Sequence, residues 1–295
     1  MNEFKTYHPI VNFIYFVLVI GFSCVFMHPV CLAVSLVCGF TYSVMLKGKR
    51  TARTNLLYML PMMLAMALIN PAFNHEGVTI IEYLPSGNPL TLESILYGFS
   101  AAVRLISVIC WFSCCNEIMT SDKFICLFGR VIPSLSLILS MTLRFVPKFT
   151  AQLKIVTNAQ RCIGRDITCG SIIKRAKHGL TILSIMVTWA LENSIETADS
   201  MKSRGYGLPG RTAFSIFSFD KRDKIALSWL VLSSVYILVG SRVGSMYFRF
   251  FPGIKAGGFS AYSLSVFIAY FLLCAGPVII ELWEARKWNA IKSKI

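Results

Sequence analysis

Ala198-Asp199-Ser200-Met201-Lys202-Ser203-Arg204-Gly205-Tyr206-Gly207 closes a polar, strongly basic stretch that hydrophobic segments enclose on both sides. Earlier in the same stretch stands Asn158-Ala159-Gln160-Arg161-Cys162-Ile163-Gly164-Arg165-Asp166. Each string reads as a helix that stops at a glycine with arginine near the tip. Glycine just past a helix adopts positive φ without a steric cost, and cations in the last turn suit the negative end of the helix dipole. One such string is an ordinary helix cap. Two of them on one basic insert suggest a pair of prongs that dock into something else.

Composition sets the surroundings of that insert. Hydrophobic residues make up 55% of the chain, charged residues 15%, and mean hydropathy is +0.64. A soluble domain carries about a quarter charged residues, so the chain reads as an integral membrane protein. Its net charge of +15 comes from 29 Lys and Arg against 14 Asp and Glu. Basic residues of a membrane protein gather on the cytoplasmic side. No zinc-finger or RRM-like pattern accompanies the charge, which argues against nucleic acid as a partner.

Six apolar runs approach the ~20 residues that cross a bilayer: Val11 to Met27, Val30 to Leu46, Leu56 to Phe73, Ser94 to Cys115, Ile225 to Val239 and Tyr262 to Ile280. The first two form a hairpin turned at His28-Pro29. The first has a weak basic flank and no clear cleavage site, so it reads as a retained anchor. Lys47, Lys49, Arg50 and Arg53 place the loop after the second run inside. The stretch from Asn74 to Glu93 holds Glu76, Glu82 and Glu93 with no Lys or Arg, which places it outside. Arg286, Lys287, Lys292 and Lys294 place the tail inside. Six spans with both termini cytoplasmic satisfy all of this except Arg242, Arg249 and Lys255, which fall on the outer side.

The segment from Val131 to Lys224 resists a span assignment. Ile132 to Pro147 and Leu180 to Leu191 are apolar enough to tempt one. Crossing there would push Lys154, Arg161, Arg165, Lys174, Arg175 and Lys177 outside with Asp166 as their only acid. The insert therefore reads as cytoplasmic, built of long amphipathic helices. The expected fold is all-α: transmembrane helices 1–4 in residues 1–130, a coupling domain with two helix tips in 131–224, and helices 5–6 with the tail in 225–295.

Catalytic and metal chemistry find no foothold. Ten cysteines occur, without a Cys-x-x-Cys pair or zinc-like spacing to histidine, so they read as packing residues. Neither a His-Glu-x-x-His string nor a phosphate-binding Gly-x-x-x-x-Gly-Lys loop is present. Glu192, Glu196 and Asp199 share one helix face, a pattern that reads as a solvated acidic stripe or as partners for nearby cations. The expectation is a non-enzyme without cofactor or metal.

Taken together, these strings resemble the transmembrane T component of energy-coupling factor transporters, the EcfT/CbiQ-like family. The likeness runs from about Leu56 to Phe219. It includes Thr120-Ser121-Asp122, Leu143-Arg144-Phe145-Val146-Pro147 and both tips. In that family each of two coupling helices ends in Ala-Arg-Gly. Ser203-Arg204-Gly205 is close to it, whereas the first tip aligns as Cys162-Ile163-Gly164, with Arg161 and Arg165 as flanking substitutes. The resemblance implies a scaffold in a bacterial or archaeal cell membrane that bridges two ABC ATPase subunits and a small membrane-embedded substrate-binding subunit, importing vitamins or transition-metal ions. ATPase docking would fall to Arg161, Gly164, Arg165, Ser203, Arg204 and Gly205. Contact with the substrate subunit would fall to Pro133, Leu137, Met141, Arg144, Phe145 and Pro147. A conventional ABC importer permease and a membrane-embedded enzyme are the competing readings. The first would need one coupling loop, and the second would need paired acids or a metal cluster at membrane depth.

Overall fold

The computed structural model describes residues 3–83, 89–129, 133–168, 170–208, 217–258 and 260–292. Val131, Ile132, Lys294 and the 209–216 part of the insert lie outside them. Helix dominates, as an apolar chain in lipid requires, because helices satisfy their own backbone donors and acceptors. In order the helices are α1 (Pro9–Val25), α2 (Pro29–Phe73), α3 (Leu92–Ile118), α4 (Ser121–Gly129), α5 (Pro133–Cys162), α6 (Ile172–Ser203), α7 (Lys221–Arg242) and α8 (Ala261–Lys292). A 3-10 turn over Glu3–Thr6 precedes them. Two small antiparallel hairpins complete the described structure: β1 (Ile80–Tyr83) with β2 (Pro89–Thr91), and β3 (Phe248–Arg249) with β4 (Lys255–Ala256).

Among the described residues, four helical segments are long and apolar enough to cross a membrane: Pro29–Gly48, α3, α7 and α8. The first and third expected spans form shorter apolar helices, Pro9–Val25 and Met59–Phe73. The chain is an all-α, multi-pass membrane protein. One connection differs from its reading in the sequence. The basic segment after the second span is helical on both sides of a break at Gly48, where φ is 78° and ψ is 168°. Glycine reaches that φ without the Cβ clash that would have kept another residue helical or forced a loop.

The chain divides into two compact units, Met1–Lys123 with Phe217–Ile295, and Phe124–Ile216. In the first, Trp111 of α3 is fully buried and donates from Nε1 to Ser35 Oγ of α2 at 3.0 Å. Ser35 in turn meets Ser23 Oγ of α1 at 2.6 Å, and Ser23 faces the Tyr270 hydroxyl of α8 at 3.4 Å. A chain of hydrogen-bonding side chains thus runs through four helices, and these buried polar groups find their partners inside the protein. Gly39 lets the indole approach closely, since a Cβ there would stand 3.2 Å from Trp111. The acidic loop between α2 and α3 is anchored by Glu93, whose carboxylate accepts from the Thr79 hydroxyl at 2.8 Å. In the other hairpin Arg249 stands opposite Lys255, a like-charge pairing that adds no stability.

Lys123 of α4 ties the amino-terminal segment down. It is buried, and its Nζ donates to the Lys5 carbonyl at 2.7 Å. With the Asn12 amide turned so that its nitrogen donates to the Phe4 carbonyl at 3.1 Å, the Asn12 oxygen accepts from Lys123 at 2.6 Å. Burial first, and the nearby Lys5 second, lower the Lys123 pKa to about 8. Between that value and the ordinary lysine range the unfolded chain binds more protons than the folded one, so stability rises with pH. Thermal unfolding in detergent should therefore move to higher temperature from pH 8 to pH 10, and Lys123→Met should flatten that rise.

Candidate functional site

The second unit holds α5 and α6, and their contacts give their relative direction. Lys148 Nζ donates to Asn193 Oδ1 at 3.1 Å. Phe149 meets the Trp189 ring edge-on with centroids 5.3 Å apart. Val156 packs with Ile182 and Met186, and Ile167 and Trp189 close that cluster. Numbers rise along α5 as they fall along α6, so the helices are antiparallel. The tip of α5 therefore lies at the end where α6 begins, and the tip of α6 at the end where α5 begins. At 1.5 Å per residue the two tips stand on the order of 40 Å apart.

Both tips close with the same backbone device. At the end of α5, Gly164 has φ 79°, its N–H donates to the Arg161 carbonyl at 3.0 Å, and the Arg165 N–H donates to Gln160 at 2.9 Å. At the end of α6, Gly205 has φ 78°, its N–H donates to Lys202 at 2.9 Å, and the Tyr206 N–H donates to Met201 at 3.0 Å. These are Schellman caps. Position for position, Ile163 corresponds to Arg204, Gly164 to Gly205, and Arg165 to Tyr206. Helix α7 ends in the same way at Gly244, with Gly244 N–H on Ser241 and Ser245 N–H on Gly240. The cap is thus general backbone chemistry, and what sets a tip apart is the side chain beside it.

Those side chains differ. Ile163 is 68% exposed. Its neighbour Arg161 is paired with Asp166 at 3.1 Å. Hydrogen bonds from Thr168 and then the Arg161 guanidinium hold the Asp166 carboxyl below its usual range. Arg165 is exposed. On the other tip Arg204 and Ser203 are exposed, the Ser203 hydroxyl donates to the Ser200 carbonyl at 2.9 Å, and among the described residues Arg204 forms no ion pair. An arginine held at the cap and left unpaired presents a planar fork of donors for a carboxylate.

Beyond the Phe149–Trp189 contact the helices enclose a cleft of about 490 Å³. Leu137, Ser140, Met141, Arg144 and Lys148 line it from α5, facing Asn193, Glu196, Thr197, Ser200, Met201 and Arg204 of α6. The structure thus brings Leu137, Met141 and Arg144 to the same cleft as the tip arginine. Phe145 stacks edge-on with Phe149 at 6.3 Å, with the Arg144 guanidinium 5.7 Å from its ring. Pro147 lies inside α5 and is exposed, and Pro133 starts the helix, its side chain outside the described set. Sequence reading passed over Lys148, Asn193 and Ser200. Their spacing, four residues from Arg144, Thr197 and Arg204 respectively, placed them on those faces, but only packing shows that the two faces oppose. Of the acidic stripe, Glu196 lines the cleft. Among the described residues no group of acids, histidines and cysteines is arranged to hold a metal.

No family model matches the chain. Curated relatives do. The energy-coupling factor transporter transmembrane protein EcfT of Lactobacillus helveticus is 35% identical over 114 residues, 38% of this chain and 41% of that protein. The chain is similar to EcfT. EcfT of Staphylococcus aureus is 26% identical over 174 residues, 55% of this chain and 64% of its own length. EcfT of Bacillus selenitireducens is 26% identical over 183 residues, 58% of this chain and 68% of its own length. The chain spans about two fifths of the length of three EcfT proteins that it matches, at 41%, 39% and 42%. The likeness to EcfT supports a transmembrane component of a transporter.

Gly205 carries the most constrained backbone of the arginine tip, because a Cβ there would adopt a left-handed conformation and meet Leu208 Cδ1 at 3.1 Å. Left-handed backbone costs an L-residue roughly 1–2 kcal/mol. Gly205→Ala should lower hydrogen-exchange protection at the Tyr206 amide about tenfold, with α5 unaffected.

Proposed function

We propose that the chain is the membrane scaffold and coupling subunit of an energy-coupling-factor importer. It performs no catalysis. Two ATP-binding-cassette subunits hydrolyse ATP, and a small membrane-embedded subunit captures the vitamin or metal ion. The observation that carries this reading is the antiparallel α5–α6 pair, a strut with a capped tip at each end. Tips on the order of 40 Å apart cannot enter one pocket, but they reach two sites on a paired partner. Arg204 would meet a carboxylate in one ATPase groove. At the other end Ile163, with Arg165 beside it, would meet the second. As the ATPases close on ATP the tips are drawn together. The cleft that holds Arg204 together with Leu137, Met141 and Arg144 would pass that movement to the face that touches the substrate subunit. The chain would reside in the cell membrane with both termini and residues 131–224 on the cytoplasmic side.

Purification of the tagged chain from its own cells tests the assignment directly. Two ATPase-type proteins and one further small membrane protein should copurify, and recovery of the chain alone would overturn the scaffold reading.

The topology is open to a separate test. Single cysteines at Lys154 or Lys174, in a variant depleted of its own cysteines, should resist a membrane-impermeant thiol reagent in intact cells and react once the cells are opened. Labelling from outside would refute the cytoplasmic placement.

At the tips, Arg204→Ala should leave expression and detergent-solubilised folding intact, since the side chain is exposed and supports no core. Loss of a charged contact that leaves its partner buried costs about 2–5 kcal/mol. ATPase pull-down and uptake should fall accordingly. At the α5 tip a comparable loss should require replacing both Arg161 and Arg165, because neither alone occupies the cap position.

A further inference from the structure

In the first unit, the start of α7 and the middle of α8 enclose a groove of about 430 Å³. Ile225 and Trp229 of α7 and Leu272 and Gly276 of α8 line it, with Tyr7 and Arg222 at one end. We infer that this groove is a binding site for one anionic phospholipid, an acyl chain lying along it and the phosphate held at Arg222.

Three features support this. First, the groove separates two helices that are long and apolar enough to cross a membrane, so its surroundings are hydrocarbon. From Arg222 to Trp229 it runs about 10 Å along α7, from the polar end of the helix into its apolar part. Second, its mouth is cationic. Arg222 lies 4.2 Å above the Tyr7 ring and donates from Nη2 to Thr6 Oγ1 at 3.0 Å, which fixes the guanidinium and leaves further N–H donors for an anion. Lys221 and Lys224 flank it and are exposed. The acids nearby are largely committed: Asp223 accepts from the His8 and Asp220 backbone N–H groups at 3.1 Å each, and Glu284 faces Lys287 at 4.0 Å. Asp220, which accepts from the Ser218 hydroxyl at 3.4 Å, and Glu3, in reach of Tyr7, are the other acids at this end; none of these acids lines the groove, whereas Arg222 does. Third, the groove stays open because position 276 is glycine. A Cβ there would sit at ordinary contact distance from Trp229, 3.5 Å, so a longer side chain would occupy the space.

A basic pocket between spanning helices selects an anionic headgroup at about 1 kcal/mol per cation near the surface, or about fivefold for one arginine. The test is native mass spectrometry of the full chain, delipidated in detergent and then given equimolar phosphatidylglycerol and phosphatidylcholine. One lipid per chain should survive activation that strips the rest, with phosphatidylglycerol favoured about fivefold. Arg222→Gln should bring the ratio to about one, Arg222→Lys should keep the preference, and Gly276→Leu should remove the retained lipid of either kind. Absence of a retained lipid, equal retention of the two lipids, or an unchanged ratio in Arg222→Gln would overturn the site. Should Gly276→Leu not fold, the two Arg222 variants decide alone, since that side chain is exposed at the start of its helix.

Discussion

A small apolar contact, Val156 against Ile182 and Met186 with Trp189 and Phe149 beside it, sets the geometry on which the α5–α6 pair depends. The rest of both helices is largely exposed, with Leu180, Leu183, Leu191 and Ile195 among the uncovered side chains. Long helices joined by so few buried residues are not held together by a core of their own. The exposed apolar residues are surface that partners or lipid can cover. The contact fixes direction, and direction puts the two caps at opposite ends. Parallel packing of the same two helices would have set both tips side by side.

Charge then distinguishes the two ends. Around the α5 tip and the start of α6 stand Arg161, Arg165, Lys174, Arg175 and Lys177, with Ile172 and Ile173 more than four-fifths exposed. Around the α6 tip Arg204 and Lys202 stand beside a cleft that Arg144, Lys148 and Glu196 also line. Identical backbone caps thus carry unlike surfaces, one broad and basic with apolar side chains, the other narrow and centred on Arg204.

The first unit answers to a different constraint. Lipid offers no hydrogen bonds, so its polar side chains must pair within the bundle. The line from Trp111 through Ser35 and Ser23 to Tyr270 does this across α3, α2, α1 and α8. Small residues allow it: Gly39 admits the indole, and at Gly240 a Cβ would collide with Val266 at 2.6 Å. The same economy of side-chain volume that closes these contacts leaves the α7–α8 groove open at Gly276.

Much of the architecture was legible in the sequence because its signals are local. Apolar runs set the helices, and glycine after a basic last turn set the two caps. The residue correspondence of the tips, Ile163 with Arg204, came from the string and reappears in the backbone hydrogen bonds. The helical course through Gly48 was not legible, because a basic linker between two apolar runs reads equally well as a loop. Nor was the cleft. Arg144 and Glu196 belong to faces that each helix presents by its own periodicity, but only tertiary packing decides that those faces meet. The groove at Arg222 has the same origin: Tyr7, Trp229 and Gly276 are far apart in the chain, and only the packing of α7 and α8 brings them together.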